Sequence, residues 1–171
     1  MDFVLEKWQT GYLDDFIKST NDPHLSDNLC ENLPYPMDVA FAAEYIRERM
    51  LNNEQHQVCR AIVVDGRIAG GIDVLMGSGL FSKSAEISVW IAKDYRGQGL
   101  GTDVIKHMCS FVFENYDVIR IEGHPYSSHK PAIAALKKSG FIHEGTVHSA
   151  IFKGGSTYDY EIYAMINDPT R

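Results

Sequence analysis

No apolar run in the chain approaches the ~20 residues that a bilayer-spanning helix needs, so a transmembrane segment is not expected. The opening residues, Met1-Asp2-Phe3-Val4-Leu5-Glu6-Lys7, lack a basic stretch followed by an apolar one, so no signal peptide is read there. A cytoplasmic location follows as the expectation. Cysteine is scarce: Cys30, Cys59 and Cys109 are odd in number and widely spaced, with no Cys-x-x-Cys pair. That excludes a disulfide framework and a thiolate metal site, and leaves three buried, reduced thiols. Basic charge is also short. Sixteen Lys and Arg face 23 Asp and Glu, giving a net charge of −7, which argues against nucleic acid as a partner. It suits a cationic substrate such as an amine. Close histidine pairs are missing too: His143 and His148, five apart on a predicted strand, should point to opposite faces. With His124 and His129 they form no tight ligand pair, so no metal site is expected.

The chain contains 171 residues without repeat, linker or low-complexity tract, which is read as a single domain over residues 1–171. A chain of this size buries roughly 70% of its unfolded surface and needs no staples. Phe3 to Trp8 reads as a first strand. Thr10 is read as the cap of a short helix through Tyr12, Leu13, Phe16 and Ile17, ending near Asn21-Asp22-Pro23. Residues 24–37 show no clear period, and Leu33-Pro34-Tyr35-Pro36 must be extended. Asp38 then caps a helix whose apolar stripe is Val39, Ala42, Ala43, Ile46 and Met50. Strands are expected at Val58 to Val64 and Ile68 to Met76, joined by the hairpin turn Asp65-Gly66, and again at Ser84 to Ile91. Val118 to Glu122 is read as a short buried strand. Ser128 and Pro131 open a helix with Ile133, Ala134 and Leu136 inside and Gly140 as its cap. Strands near Phe141 to Phe152 and Tyr158 to Ile166, linked by Lys153-Gly154-Gly155-Ser156, close the chain.

The stretch from Glu86 to Glu114 organises the rest. Glu86-Ile87-Ser88-Val89-Trp90-Ile91 alternates, with Ile87, Val89 and Ile91 on one face and Glu86, Ser88 and Trp90 on the other. Arg96-Gly97-Gln98-Gly99-Leu100-Gly101 follows, and then a helix with Leu100, Val104, Met108, Phe111 and Val112 on one side. Three glycines in five residues cost stability at a helix start. They also leave amide N–H groups unobstructed at the positive end of the helix dipole, a geometry that binds phosphate. A dinucleotide fold is the rival: Gly97-x-Gly99 opens its pattern and Glu122 lies about 20 residues on, where a ribose-binding acid belongs. The third glycine falls at 101 rather than 102, however, and only one strand–helix–strand unit is present, so that reading is set aside.

Arg96-x-x-Gly99-x-Gly101 resembles the Arg/Gln-x-x-Gly-x-Gly/Ala signature of the GNAT superfamily of N-acetyltransferases. Ala85 to Ile91 looks like that superfamily's central strand, and Lys138-Ser139-Gly140-Phe141 resembles its Lys-x-Gly-Phe element. The order of elements is similar over nearly the whole chain. Pro34-Tyr35-Pro36 before a helix, and Asp159 with Tyr163-Ala164, look like the branch containing the ribosomal-protein-alanine N-acetyltransferases. The resemblance implies an α+β chain with the GNAT acyl-CoA N-acyltransferase fold, a mixed, mostly antiparallel central sheet flanked by helices.

It also implies acetyl-CoA as cosubstrate, an amine as acceptor, and direct attack in a ternary complex; a homodimer is compatible with it. Backbone amides from Arg96 to Gly101 (Arg96, Gly97, Gln98, Gly99, Leu100 and Gly101) would hold the pyrophosphate, and Thr102 would also contact the cosubstrate. Val89, Trp90 and Ile91 would pair with the pantetheine arm by main-chain hydrogen bonds. The residue contacting CoA near the second helix of this half, often asparagine, is His129. Three further family positions lack their usual group: Ala132 stands for serine, Leu136 for tyrosine and Ile151 for glutamate. An attacking amine must lose a proton, so a base is needed. Glu86 is the first candidate, with Glu122 and His124 next, and Tyr158 and Tyr160 could line the acceptor site. The missing positions motivate an alternative, a non-catalytic acyl-CoA-binding or sensor domain of the same fold.

Overall fold

The computed structural model describes residues 1–29 and 33–167. In chain order, strand β1 (Val4–Glu6) is followed by helices α1 (Leu13–Thr20), α2 (Pro23–Asn28) and α3 (Val39–Leu51), then strands β2 (Gln57–Val64), β3 (Arg67–Met76) and β4 (Ser84–Ile91), helix α4 (Leu100–Asn115), strand β5 (Arg120–Gly123), helix α5 (Lys130–Lys138), and strands β6 (Ile142–Lys153) and β7 (Ser156–Ile166). The strand order is β1-β2-β3-β4-β5-β7-β6, in one mixed sheet. The pairs β1–β2, β5–β7 and β6–β7 are antiparallel, while β4–β5 is parallel, as a strand–helix–strand crossover through α4 requires. Cys30 lies outside the described residues. Cys59 and Cys109 are free and buried, and burial pushes each thiol up to about 12.

The chain divides into two compact units. The first comprises Met1–Val74 and Val89–Gly101. Its core is aromatic: Phe16 stacks on Tyr45 at 4.7 Å and meets Trp8 and Trp90 edge-on at 5.6 and 5.8 Å. Asp65 and Gly66, both at positive φ, make the two-residue β2–β3 turn that the sequence signals. Beside it, Gly70 and Gly71 let β3 approach β4 closely. A Cβ on Gly70 would stand 2.3 Å from the Trp90 carbonyl oxygen, and one on Gly71 would stand 2.5 Å from the Trp90 indole nitrogen.

Several expectations in this unit need correction. Thr10 does not cap a helix: it begins a 3-10 turn whose capping residue is Gln9, and α1 starts at Leu13. Helix α2 was not read, because six residues with one buried side chain, Leu25, carry no period. Asp38 does cap α3, its carboxylate accepting from the Phe41 N–H at 2.8 Å. The inward stripe of α3 is Ala42, Tyr45 and Ile46, while Val39, Ala43 and Met50 are exposed. Tyr45 is held by Arg49, whose guanidinium lies 3.3 Å from its ring centroid and pairs with the buried Asp73 at 2.6 Å. Trp90 is not on a polar face; it is buried among the aromatics.

The second unit comprises Leu75–Ser88 and the residues from Thr102 onward. Helix α4 buries Val104, Ile105, Met108, Cys109 and Val112, and leaves Phe111 half-buried. Helix α5 takes His129, not Ser128, as its capping residue, and Ala134 is exposed. Gly140, at φ +101°, ends it. Gly123 is closely packed: a Cβ there would meet the end of the Leu136 side chain of α5 at 3.0 Å and Ile87 of β4 at 3.7 Å.

Candidate active site

The glycine turn belongs to the first unit. Gly97 and Gly99 sit at φ +74° and +87°, and a Cβ on either would meet nothing within 4 Å. Packing therefore does not demand glycine at these two positions; the left-handed backbone does, and it leaves open space above the amides. Main-chain N–H groups in such a turn at the start of α4 suit an anionic diphosphate. The Leu100 side chain is fully buried, so only its main chain is available to a ligand. Arg96 points elsewhere: its Nε donates to the Ile91 carbonyl at 2.8 Å, and its guanidinium pairs with Asp22 at 2.7 Å and contacts the His24 ring at 3.3 Å. Arg96 thus ties the turn to the end of β4 and to the start of α2. Asp22 and His24 were not anticipated, because they are the cap and first turn of the helix that was missed. Thr102 and His129 belong to the second unit. The Thr102 carbonyl accepts from the Ser139 hydroxyl at 3.2 Å, and the His129 N–H donates to Tyr126 at 2.9 Å.

Glu86, Glu122 and His124 all lie in the second unit, where they come together. Glu86 and Glu122 are register partners on β4 and β5 and so share a face. His124 continues that face, its Nδ1 3.3 Å from Glu86 Oε1 and its Nε2 3.0 Å from Glu122 Oε2. Tyr160 of β7 borders the imidazole, with ring centroids 5.3 Å apart. The Glu86 carboxylate, acting mainly through its hydrogen bond, raises the His124 pKa above the ordinary imidazole value. In return, the His124 contact holds Glu86 below its usual range. The arrangement favours the protonated imidazole, which sits between the carboxyl groups of Glu86 and Glu122. A half-exposed ionised Glu86 attracts an ammonium group; loss of the His124 proton then leaves a pair able to take a proton from it.

Two members of this network were not found from sequence. Arg120 donates from Nε to Glu122 at 2.6 Å and from Nη1 to Glu144 at 2.9 Å, with a second contact from Nη2 to Glu144. The spacing Arg120-x-Glu122 on a strand was the available signal for the first contact. No local signal marked Glu144. On the β6–β7 hairpin, His143 pairs with Glu161 at 2.6 Å and His148 with Asp159 at 2.8 Å. Asp159 and Glu161 are two apart on β7, so His143 and His148 share a face, contrary to the sequence expectation. Register shifts in β6 between His143 and Gly145 and between Val147 and Ile151 change the phase. Glu161 is held down to about 2, chiefly by the Thr146 hydroxyl that donates to it at 2.7 Å. Among the described residues, no group of three or more His, Cys, Asp or Glu could hold a metal ion, and no helix is long and apolar enough to cross a membrane.

The profile of the family described as Acetyltransferase (GNAT) domain matches residues 2–142. The chain belongs to the GNAT acetyltransferases. Membership bears out the expected fold and the enzyme class, an acetyl-CoA-dependent acetyltransferase. Among curated proteins, this GNAT chain is similar to YdaF of Bacillus subtilis (strain 168), provisionally named a ribosomal N-acetyltransferase. The two are 25% identical over 105 residues, which are 61% of this chain but only 57% of YdaF. Among solved structures it is similar to RimL, a ribosomal L7/L12 alpha-N-protein acetyltransferase in complex with coenzyme A. That TM-score is 0.85 at 16% identity, covering 97% of this chain and 94% of RimL. It is also similar to a spermidine N-acetyltransferase from Vibrio cholerae in complex with CoA and spermine, with a TM-score of 0.79 at 16% identity, covering 96% and 95%.

Proposed function

We propose that this GNAT chain acts as one domain that moves the acetyl group of acetyl-CoA to a primary amine, at a protein N-terminus or on a small molecule, in the cytoplasm. The amine attacks the thioester directly in a ternary complex. The observation that carries this reading is the placement of His124 between Glu86 and Glu122. Glu86 holds the incoming ammonium, and the Glu86–His124 pair accepts its proton, which frees the lone pair for attack. Main-chain groups of residues 96–101 bind the diphosphate of acetyl-CoA, and main-chain groups of Val89, Trp90 and Ile91 receive the pantetheine arm. In the second unit, Thr102 and His129 are further cosubstrate contacts. Positioning two bound reactants supplies much of the rate, so the serine, tyrosine and glutamate missing at Ala132, Leu136 and Ile151 do not stand against turnover.

A thiol-release assay with acetyl-CoA against polyamines, aminoglycosides, amino acids and short peptides with free N-termini tests the reading. Thiol released with peptides alone assigns the acceptor to protein N-termini; release with one small amine assigns a metabolic or detoxifying role. Acetyl-CoA binding without release for any acceptor supports the sensor alternative instead.

A further inference from the structure

We propose that Glu144 and Arg120 are positioning residues that keep one oxygen of Glu122 free to hold His124. The inference rests on the proton-accepting role given above to the Glu86–His124 pair. Its basis is a chain of alternating charge, Glu86–His124–Glu122–Arg120–Glu144, drawn from three strands. Both terminal nitrogens of Arg120 engage the two oxygens of Glu144. Such a fork fixes the plane of the guanidinium. With that plane fixed, Nε reaches only Oε1 of Glu122, and Oε2 of the same carboxylate faces His124 Nε2 at 3.0 Å. Without Glu144 the fork is free to turn onto Glu122 and take both oxygens.

A second observation is independent of the hydrogen bonds. His143 pairs with Tyr163 and Gly145 with Ile162, so Glu144 is the extra residue of a β-bulge. Bulges re-aim a side chain that regular pairing would send elsewhere. Here Glu144 reaches Arg120, whose strand partner on β7 is Ile166. His124 itself faces Glu86 from β4, Glu122 from its own strand and Tyr160 from β7; Glu144 acts on it only through Arg120 and Glu122.

The test compares wild type, Glu144→Gln, Arg120→Lys and Glu86→Gln by two readouts: the His124 ring titration by NMR and the pH profile of kcat/KM. Glu144 is part-exposed, so its amide variant should fold, which circular dichroism checks. In Glu144→Gln we expect the His124 titration and the acid limb of kcat/KM to move together to lower pH. The plateau should fall on the order of tenfold, with KM for acetyl-CoA unchanged. Arg120→Lys, which loses the fork, should do the same. If Glu144→Gln leaves both readouts at the wild-type position while Glu86→Gln moves them, the positioning role is overturned and the proton-accepting role stands. If the His124 titration moves but the kinetic limb does not, the hold of Glu144 on His124 is upheld and the proton-accepting role fails.

Discussion

Nδ1 of His124 stands 3.3 Å from Oε1 of Glu86; Glu86 lies on β4, and His124 directly follows β5, its parallel neighbour. Each shifts the other: Glu86 raises the titration of His124, and His124 lowers that of Glu86. In the proposed mechanism the pair accepts a proton only after His124 has lost one. Turnover should therefore climb with pH through an acid limb lying above the ordinary imidazole value. Glu86→Gln removes the cause of the raised titration, so the limb should move down and kcat should fall on the order of 100-fold, with little change in acetyl-CoA affinity. A pH profile of kcat/KM for both proteins checks this.

The same pair makes stability depend on pH. The folded pKa of His124 is raised, so its contribution is full below the unfolded value and is lost as pH rises through the folded one. The folded pKa of Glu86 is depressed, so its contribution is full above the unfolded value and is lost as pH falls through the folded one. The difference in Tm between wild type and Glu86→Gln should be greatest between the ordinary carboxylate and imidazole ranges, and should shrink in alkali. Because Glu86 is half exposed, the effect should stay under about 1 kcal/mol. Thermal melts across pH measure it.

Gly99→Val places a branched side chain at φ +87°. Nothing lies within 4 Å of its Cβ, so strain of about 1–3 kcal/mol is the main cost to the fold. Acetyl-CoA binding should fall at least tenfold in protein that remains folded, as read by calorimetry and circular dichroism. Unchanged affinity would remove the diphosphate from this turn.

Arg49 and Asp73 are both largely buried and pair at 2.6 Å. Burial pushes Asp73 up, and Arg49 opposes that shift. Arg49→Ala would leave an uncompensated buried carboxyl and strip the cation from the Tyr45 ring. The loss should be about 3 kcal/mol, which corresponds to roughly 6–12 °C in Tm for a chain of this size. Denaturant titration gives the same quantity independently.

Gly70→Ala brings a Cβ to 2.3 Å from the Trp90 carbonyl oxygen, a backbone atom that cannot step aside. Overpacking of this kind should cost about 1–3 kcal/mol or more. Gly66→Ala, with nothing within 4 Å of its Cβ but φ +76°, is strained by backbone alone and serves as the comparison. Parallel melts of the two variants separate close packing from turn conformation.

Much of the fold was legible where the sequence carried a clear period or turn. Strand β4 has the bounds its alternation predicts, and Asp65-Gly66 makes the expected hairpin turn. Helix α2 was silent because six residues cannot show a helical period. The face of α3 was misjudged because it turns Arg49 inward, and a buried arginine makes sense only once Asp73, 24 residues later, is known to meet it. The site divides in the same way. Glu86, Glu122 and His124 were readable because each lies on a predictable strand or at its end. Glu144 was not, since its direction is set by a bulge that strict alternation hides.

The most direct test is to mix the protein with acetyl-CoA and the acceptor chosen by thiol release, then record the masses of acceptor and protein. Direct transfer predicts an acceptor heavier by one acetyl group and a protein of unchanged mass. A protein that binds acetyl-CoA yet acetylates no amine, or one that carries the acetyl group itself, would contradict it.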